Sequence, residues 1–148
     1  MATCTFFGHR NCPATVKPKL REVLVDLITN HGVDMFYVGN QGQFDAHVRS
    51  VLYELKYAYP QTQYAVVLAY MPGKQNEYDD YSDTMLPEGI EYVHPHYAIA
   101  WRNNWMLRQS DHIVAYITHS WGGAATYTDK ARGQGKMVIN IADINYDW

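Results

Sequence analysis

Five short apolar runs alternate with helix-patterned segments, and this alternation restricts the fold more than any other feature of the chain. Short runs without a polar face suit strands buried on both sides. Strands separated by helices must pair in parallel, since only a crossover connects parallel neighbours. The runs are residues 3–8 (TCTFFG), 34–39 (DMFYVG), 63–70 (QYAVVLAY), 112–117 (HIVAYI) and 136–141 (KMVINI). In 16–30, Val16, Leu20, Val23, Leu24, Leu27 and Ile28 recur at helical spacing, and Asn30-His31-Gly32 supplies a stop. In 45–59, Phe44, Val48, Val51, Leu52 and Leu55 mark a second helix, ended by Pro60; segments 97–110 and 123–133 are the third and fourth. The expected fold class is α/β: a Rossmann-like three-layer fold with a parallel sheet of about five strands and helices on both faces, one domain over residues 1–148. Periodicity fails from Met71 to Pro87, which is polar, acidic and rich in Tyr and reads as a loop; 88–94 reads as a short strand or extended link.

Composition excludes several function classes. A net charge of −3 provides no basic field for a polyphosphate backbone, so nucleic acid is not expected as the main partner. No apolar run approaches the roughly 20 residues a membrane helix needs, which argues against a membrane partner. Two cysteines, Cys4 and Cys12, make no disulfide framework. The N-terminus has no basic region or apolar core of a signal peptide, so the expected location is cytoplasmic. His94-Pro95-His96 invites a metal reading, but no Cys or acidic residue stands at matching spacing, so no metal is expected; no motif calls for a cofactor.

In open parallel sheets, ligands bind beyond the carboxyl ends of the strands where the order reverses. Right-handed crossovers place runs 3–8 and 112–117 side by side, so the loops that follow them meet. The first of these is Gly8-His9-Arg10-Asn11, and the second leads into Trp121-Gly122-Gly123-Ala124-Ala125-Thr126. Run 34–39 delivers Gly39-Asn40-Gln41-Gly42-Gln43-Phe44-Asp45 to the same edge. Strand, glycine pair and helix start, in that order, suit an anion: glycine lets backbone N–H groups approach a phosphate, and the helix N-terminus adds unpaired donors. Gly8 and Gly39 also fit plain strand-ending turns, Asp45 an N-cap, and His9 a turn residue. Arg10, Arg102 and Arg108 are the candidate phosphate cations; Arg102 and Arg108 fall on different faces of one helix, so one is expected to face the site and the other solvent. The 71–87 loop leaves the same edge, so Tyr78 or Tyr81 is a candidate lid over a base or ribose, while Glu77, Asp79, Asp80 and Asp83 would keep it from the phosphate.

Thr5-Phe6-Phe7-Gly8-His9-Arg10, the Gly39-to-Asp45 loop, Trp101-Arg102-Asn103-Asn104-Trp105-Met106 and the Gly122-Gly123 turn together resemble the SLOG superfamily, nearest its YpsA-like branch of small stand-alone proteins. The resemblance covers nearly the whole chain. It implies a Rossmann-like fold with a nucleotide or nucleotide-derived ligand at the strand ends. The superfamily includes LOG-type phosphoribohydrolases, sensors of ADP-ribose-type signals in bacterial defence, and the DNA-processing protein DprA. Against the LOG pattern Pro-Gly-Gly-x-Gly-Thr-x-x-Glu, Gly122, Gly123 and Thr126 match, whereas Trp121, Ala125 and Asp129 stand for the Pro, the third Gly and the catalytic Glu. Arg102 and Asp111 repeat the family's Arg-to-Asp spacing, and Asn103 replaces the Lys that follows the Arg.

Two functions follow from the resemblance. The first is a stand-alone sensor or sequestering protein for an ADP-ribose-like or cyclic nucleotide signal, in the manner of a phage or mobile element that counters anti-phage signalling. The second is a nucleoside monophosphate N-glycosidase using Arg102 and Asp129. Rings spread around the third helix (Trp101, Trp105, beside Ile99 and Met106) point to a homodimer or higher homo-oligomer.

Overall fold

The strand repeat of two sorts the apolar side chains into two layers. The computed structural model describes residues 2–71 and 83–142. In β1 (Ala2–Gly8), Cys4 and Phe6 turn to one face of the sheet and Phe7 to the other. Helices α1 (Lys17–Asn30) and α2 (Gly42–Ala58) cover the first face, where Leu20, Leu24, Leu27, Phe44, Val48 and Leu52 join Phe6 and Phe36 in one core. Helices α3 (Ala98–Gln109) and α4 (Gly123–Gly133) cover the second, with Met106, Leu107 and Ala131 against Phe7, Val67 and Ile113. Each fully buried Leu, Ile, Val or Phe contributes about 1.5–3 kcal/mol of transfer free energy, so both layers hold the sheet firmly.

The remaining strands are β2 (Val33–Val38), β3 (Gln63–Val67), β4 (Thr84–Met85), β5 (His112–Tyr116) and β6 (Met137–Asn140). All pairs are parallel, in the order β4-β3-β2-β1-β5-β6. The chain winds outward from β1 in one direction through β4, then returns to lay β5 on the other side of β1. Cys4 faces Phe36 across one pairing and His112 across the other. The order therefore reverses between β1 and β5, and the loops leaving their carboxyl ends diverge around a crevice.

The Rossmann-like α/β class read from the sequence is the observed one, with differences at the edges. Among the described residues the sheet has six strands where about five were expected, because β4 falls in the segment read as a loop. Two residues show no periodicity; β4 is held by Val66 N–H donating to the Asp83 carbonyl (2.7 Å) and Leu68 N–H to that of Met85 (2.8 Å). Residues 88–94 form no strand: Gly89, in the left-handed region at φ +96°, leads into a 3-10 turn at Ile90–Tyr92, and Ile90 is buried against Ala69 and Ala98. Helix α2 starts at Gly42 instead of Asp45, so Asp45 lies inside its first turn. The rings of α3 are half-buried within the chain. Trp105 meets Tyr37 edge to face at 5.0 Å, and Trp101 packs beside Ala98 and Gly89. Among the described residues no helix is long and apolar enough to cross a membrane.

Candidate functional site

The turn into α4 is set by two side-chain hydrogen bonds. Asn140 on β6 grips the Ile117 peptide from both sides, accepting from its N–H (3.1 Å) and donating to its carbonyl (3.1 Å). From there residues 118–122 swing out, and Gly122 turns back at φ +97°, in the left-handed region that glycine enters without strain. Gly122 caps α4 with no side-chain acceptor, and the first helical bond runs from Thr126 N–H to the Gly122 carbonyl (3.1 Å). The N–H groups of Gly123, Ala124 and Ala125 precede that bond and donate to no described residue. They form a bare helix N-terminus, which favours an anion through donors and dipole together.

Beside it opens a cavity of about 580 Å³, the size range of small-molecule sites. Gly8, His9, Arg10, Gln41, Asp45, Arg102, Gly122, Gly123 and Ala124 line it, all of them singled out from the sequence. Arg102 is 2% exposed and so enters the cavity wall as a buried cation. Its Nε donates to Asn103 Oδ1 (2.9 Å), and its Nη1 to the Val67 carbonyl (2.9 Å) and Asn40 Oδ1 (3.4 Å). Among the described residues Nη2 has no acceptor, and no carboxylate stands within ion-pair distance of the guanidinium. Burial pulls its pKa down and the nearby Asp45 works against that shift. A buried guanidinium with a free edge is suited to pair with an anion, since leaving a charge unpaired inside a protein is costly. Arg108, by contrast, faces solvent.

Several residues expected at the ligand build the cavity instead. Gly39, Asn40, Gly42 and Phe44 are absent from its lining, and Thr126 is exposed with its hydroxyl turned back on the Gly122 carbonyl (3.0 Å). A Cβ on Gly8 would overlap the Phe44 ring, which is fully buried against Phe6 and Tyr116. A Cβ on Gly42, at φ +86°, would lie 2.7 Å from Arg10 Cα. One on Gly39 would lie 2.8 Å from Asp45 Oδ2 and 3.1 Å from Arg102 Nη1. These glycines let α2 close on the loop after β1. Gln43 N–H donates to the Arg10 carbonyl (2.8 Å), Cys12 N–H to Gln43 Oε1 (2.8 Å), and the His47 ring bonds the Cys12 carbonyl (2.7 Å). Gly123 differs: a Cβ there meets nothing within 4 Å, so its surroundings are open.

Asp45 accepts from Gln41 N–H through Oδ2 (2.9 Å), closing the α2 start from inside the helix rather than as its N-cap. Burial pushes its pKa from the ordinary 3.8 up to about 6, against the lowering effects of the Gln41 N–H, Arg102 and Arg49. The sign follows directly: the folded protein holds this proton more tightly than the unfolded chain. The stability it contributes is complete below pH 3.8 and is lost as pH rises to about 6, a swing of about 3 kcal/mol for the shift. Asp45→Asn should therefore gain stability over wild type between pH 4 and pH 7. Denaturation at both pH values checks this; a stability difference that stays constant across the range contradicts it.

Asn11, in the loop placed at this edge, also lines the cavity, and the sequence reading missed the rest of that wall: Phe6, Phe7, Ile99, Asn103, Met106, Thr118 and His119. His119 stacks on His9 at 3.7 Å between centroids, and Trp121 stacks on the far side of His119 at 3.9 Å. Asp129 is not part of the lining. Its side chain is 68% exposed and pairs with Arg132 at 3.2 Å, because six positions from Gly123 carry it about 240° round α4. The carboxylate at the cavity is Asp45. Tyr78 and Tyr81, the lid candidates, lie outside the described residues. His94 and His96 open a 3-10 turn, His94 Nδ1 accepting from His96 N–H (3.0 Å), and the described residues contain no group of three metal-ligating side chains.

No protein-family model matches the sequence, and no curated protein matches it either. Among solved structures, the X-ray structure of DNA processing protein A (DprA) from Streptococcus pneumoniae aligns with a TM-score of 0.67 at 13% identity. The match covers 93% of this chain and 49% of that one, so the chain spans about half the length of the protein it resembles. At that identity the likeness is one of fold, and it agrees with the Rossmann-like α/β architecture described above.

Proposed function

We propose that this chain is a SLOG-type binding protein that holds a nucleotide-derived small molecule by its phosphate in the β1–β5 crevice. The observation that carries the reading is Arg102: a buried guanidinium that, among the described residues, has no carboxylate partner and no acceptor for Nη2, in the wall of the same cavity as the bare N-terminus of α4. A phosphate in the cavity would find donors at either. The cavity suits a sensor or sequestering protein for a signal nucleotide of the ADP-ribose or cyclic type. Glycosidic cleavage through Asp129 has no support in the geometry, since that side chain is turned to solvent. DNA as ligand, which the matched protein's name would suggest, is disfavoured by the net charge of −3.

Calorimetry against a panel of nucleoside monophosphates, ADP-ribose and cyclic nucleotides, with chromatography of the same mixtures for released base, tests the proposal. Binding without base release is the expected outcome; stoichiometric base release would assign an enzyme instead. Gly123→Val should weaken the bound nucleotide at least ~10-fold, about 1.4 kcal/mol, by crowding the α4 N-terminus. Its melting temperature should stay near wild type, because the added side chain meets open space. Undiminished affinity in Gly123→Val would remove the phosphate from that turn.

A further inference from the structure

We infer that His9 and His119 form a second anion subsite in the cavity, which makes the ligand a pyrophosphate diester rather than a monophosphate. The inference rests on the phosphate reading above and specifies its ligand. In the stacked pair, His9 Nε2 and His119 Nδ1 are buried and unpartnered. A buried nitrogen without an acceptor is costlier as N–H than as a lone pair, so each ring carries its proton on the other nitrogen. That nitrogen, Nδ1 of His9 and Nε2 of His119, is accessible and has no partner among the described residues. The stack thus presents two ring N–H donors from the cavity wall. Arg10 stands next to His9 in the same wall, with Gln41 Oε1, at 3.3 Å in an exposed position, as its partner among the described residues. Arg102 and the α4 N-terminus are the donors already assigned to a phosphate; the imidazole pair and Arg10 make a further group of donors in the same cavity.

The pair is also electrically coupled to the ligand. Burial, and secondarily the neighbouring His119, lower the pKa of His9, which favours its neutral ring in the free protein. The charged or titratable groups around it are Arg10 on its own loop, Asp45 from α2, Arg102 from α3 and Tyr116 from β5, whose ring meets His9 edge to face at 6.3 Å. An anion among these groups favours imidazolium, while two stacked imidazolium rings repel each other, so one proton enters with the ligand.

NMR titration of the wild-type protein with ADP-ribose, whose own charge is constant across the imidazole range, tests this. Saturating ADP-ribose should raise the pKa of one imidazole of the pair by about one unit or more. Affinity should rise as pH falls through that range, and His119→Asn should flatten the pH dependence. ADP-ribose that shifts the Gly123 and Ala124 amides but leaves both imidazole pKa values in place overturns the second subsite and spares the first. Binding of AMP with no binding of ADP-ribose overturns the diester assignment in the same way. If neither nucleotide moves the α4 amides, the phosphate reading falls together with this one.

Discussion

Arg102→Ala should reduce nucleotide affinity by at least ~100-fold, about 2.7 kcal/mol. The guanidinium lies in the cavity wall, positioned by the Val67 carbonyl, Asn40 and Asn103, so its order is set before a ligand arrives. Preorganised charge-assisted hydrogen bonds lose little entropy on binding, which is why the expected loss is large. Arg108→Ala, on the same helix but facing solvent, should be within about twofold of wild type. Calorimetry on the two variants with the tightest ligand from the nucleotide panel provides the comparison. Equal losses from both substitutions would mean that α3 acts through general charge and not through an oriented receptor.

Gly8→Val should be among the most damaging single changes to the fold, at about 3 kcal/mol, within the range for overpacking a tight core. Its side chain would enter the volume of Phe44, and Phe44 cannot step aside because it is packed against Phe6 and Tyr116. For a chain of this length the melting temperature should fall by about 6–12 °C. Setting Gly8→Val beside Gly123→Val separates two uses of glycine at one sheet edge: the first should lose stability, the second affinity. A Gly8→Val protein that melts with wild type would show that Phe44 has room to move.

This contrast also shows what was legible in the sequence. Apolar runs alternating with helical spacing identified both layers and the side-by-side placement of β1 and β5, because burial of long periodic elements leaves a strong pattern. The pattern is silent for Thr84 and Met85, whose place in the sheet depends on the β3 edge being available to them. Glycine marked loops that meet at the cavity but not its purpose there. A sequence does not state what occupies the space of the missing Cβ, and at Gly8, Gly39 and Gly42 that space belongs to Phe44, Asp45 with Arg102, and Arg10. His119 carried no signal in a polar loop; it acquires meaning only once β5 lies beside β1 and brings it onto His9. The family pattern matched Asp129 to a catalytic carboxylate, yet its side chain projects to solvent while the buried Asp45 reaches the cavity from another helix.

Native mass spectrometry of the protein, as isolated and after incubation with the nucleotide panel, addresses the central claim most directly. The account predicts a 1:1 mass increment of a phosphate-bearing small molecule on the wild-type chain, retained in Arg108→Ala and lost in Arg102→Ala. A wild-type protein that carries no increment with any nucleotide, or an increment that persists undiminished in Arg102→Ala, would contradict it.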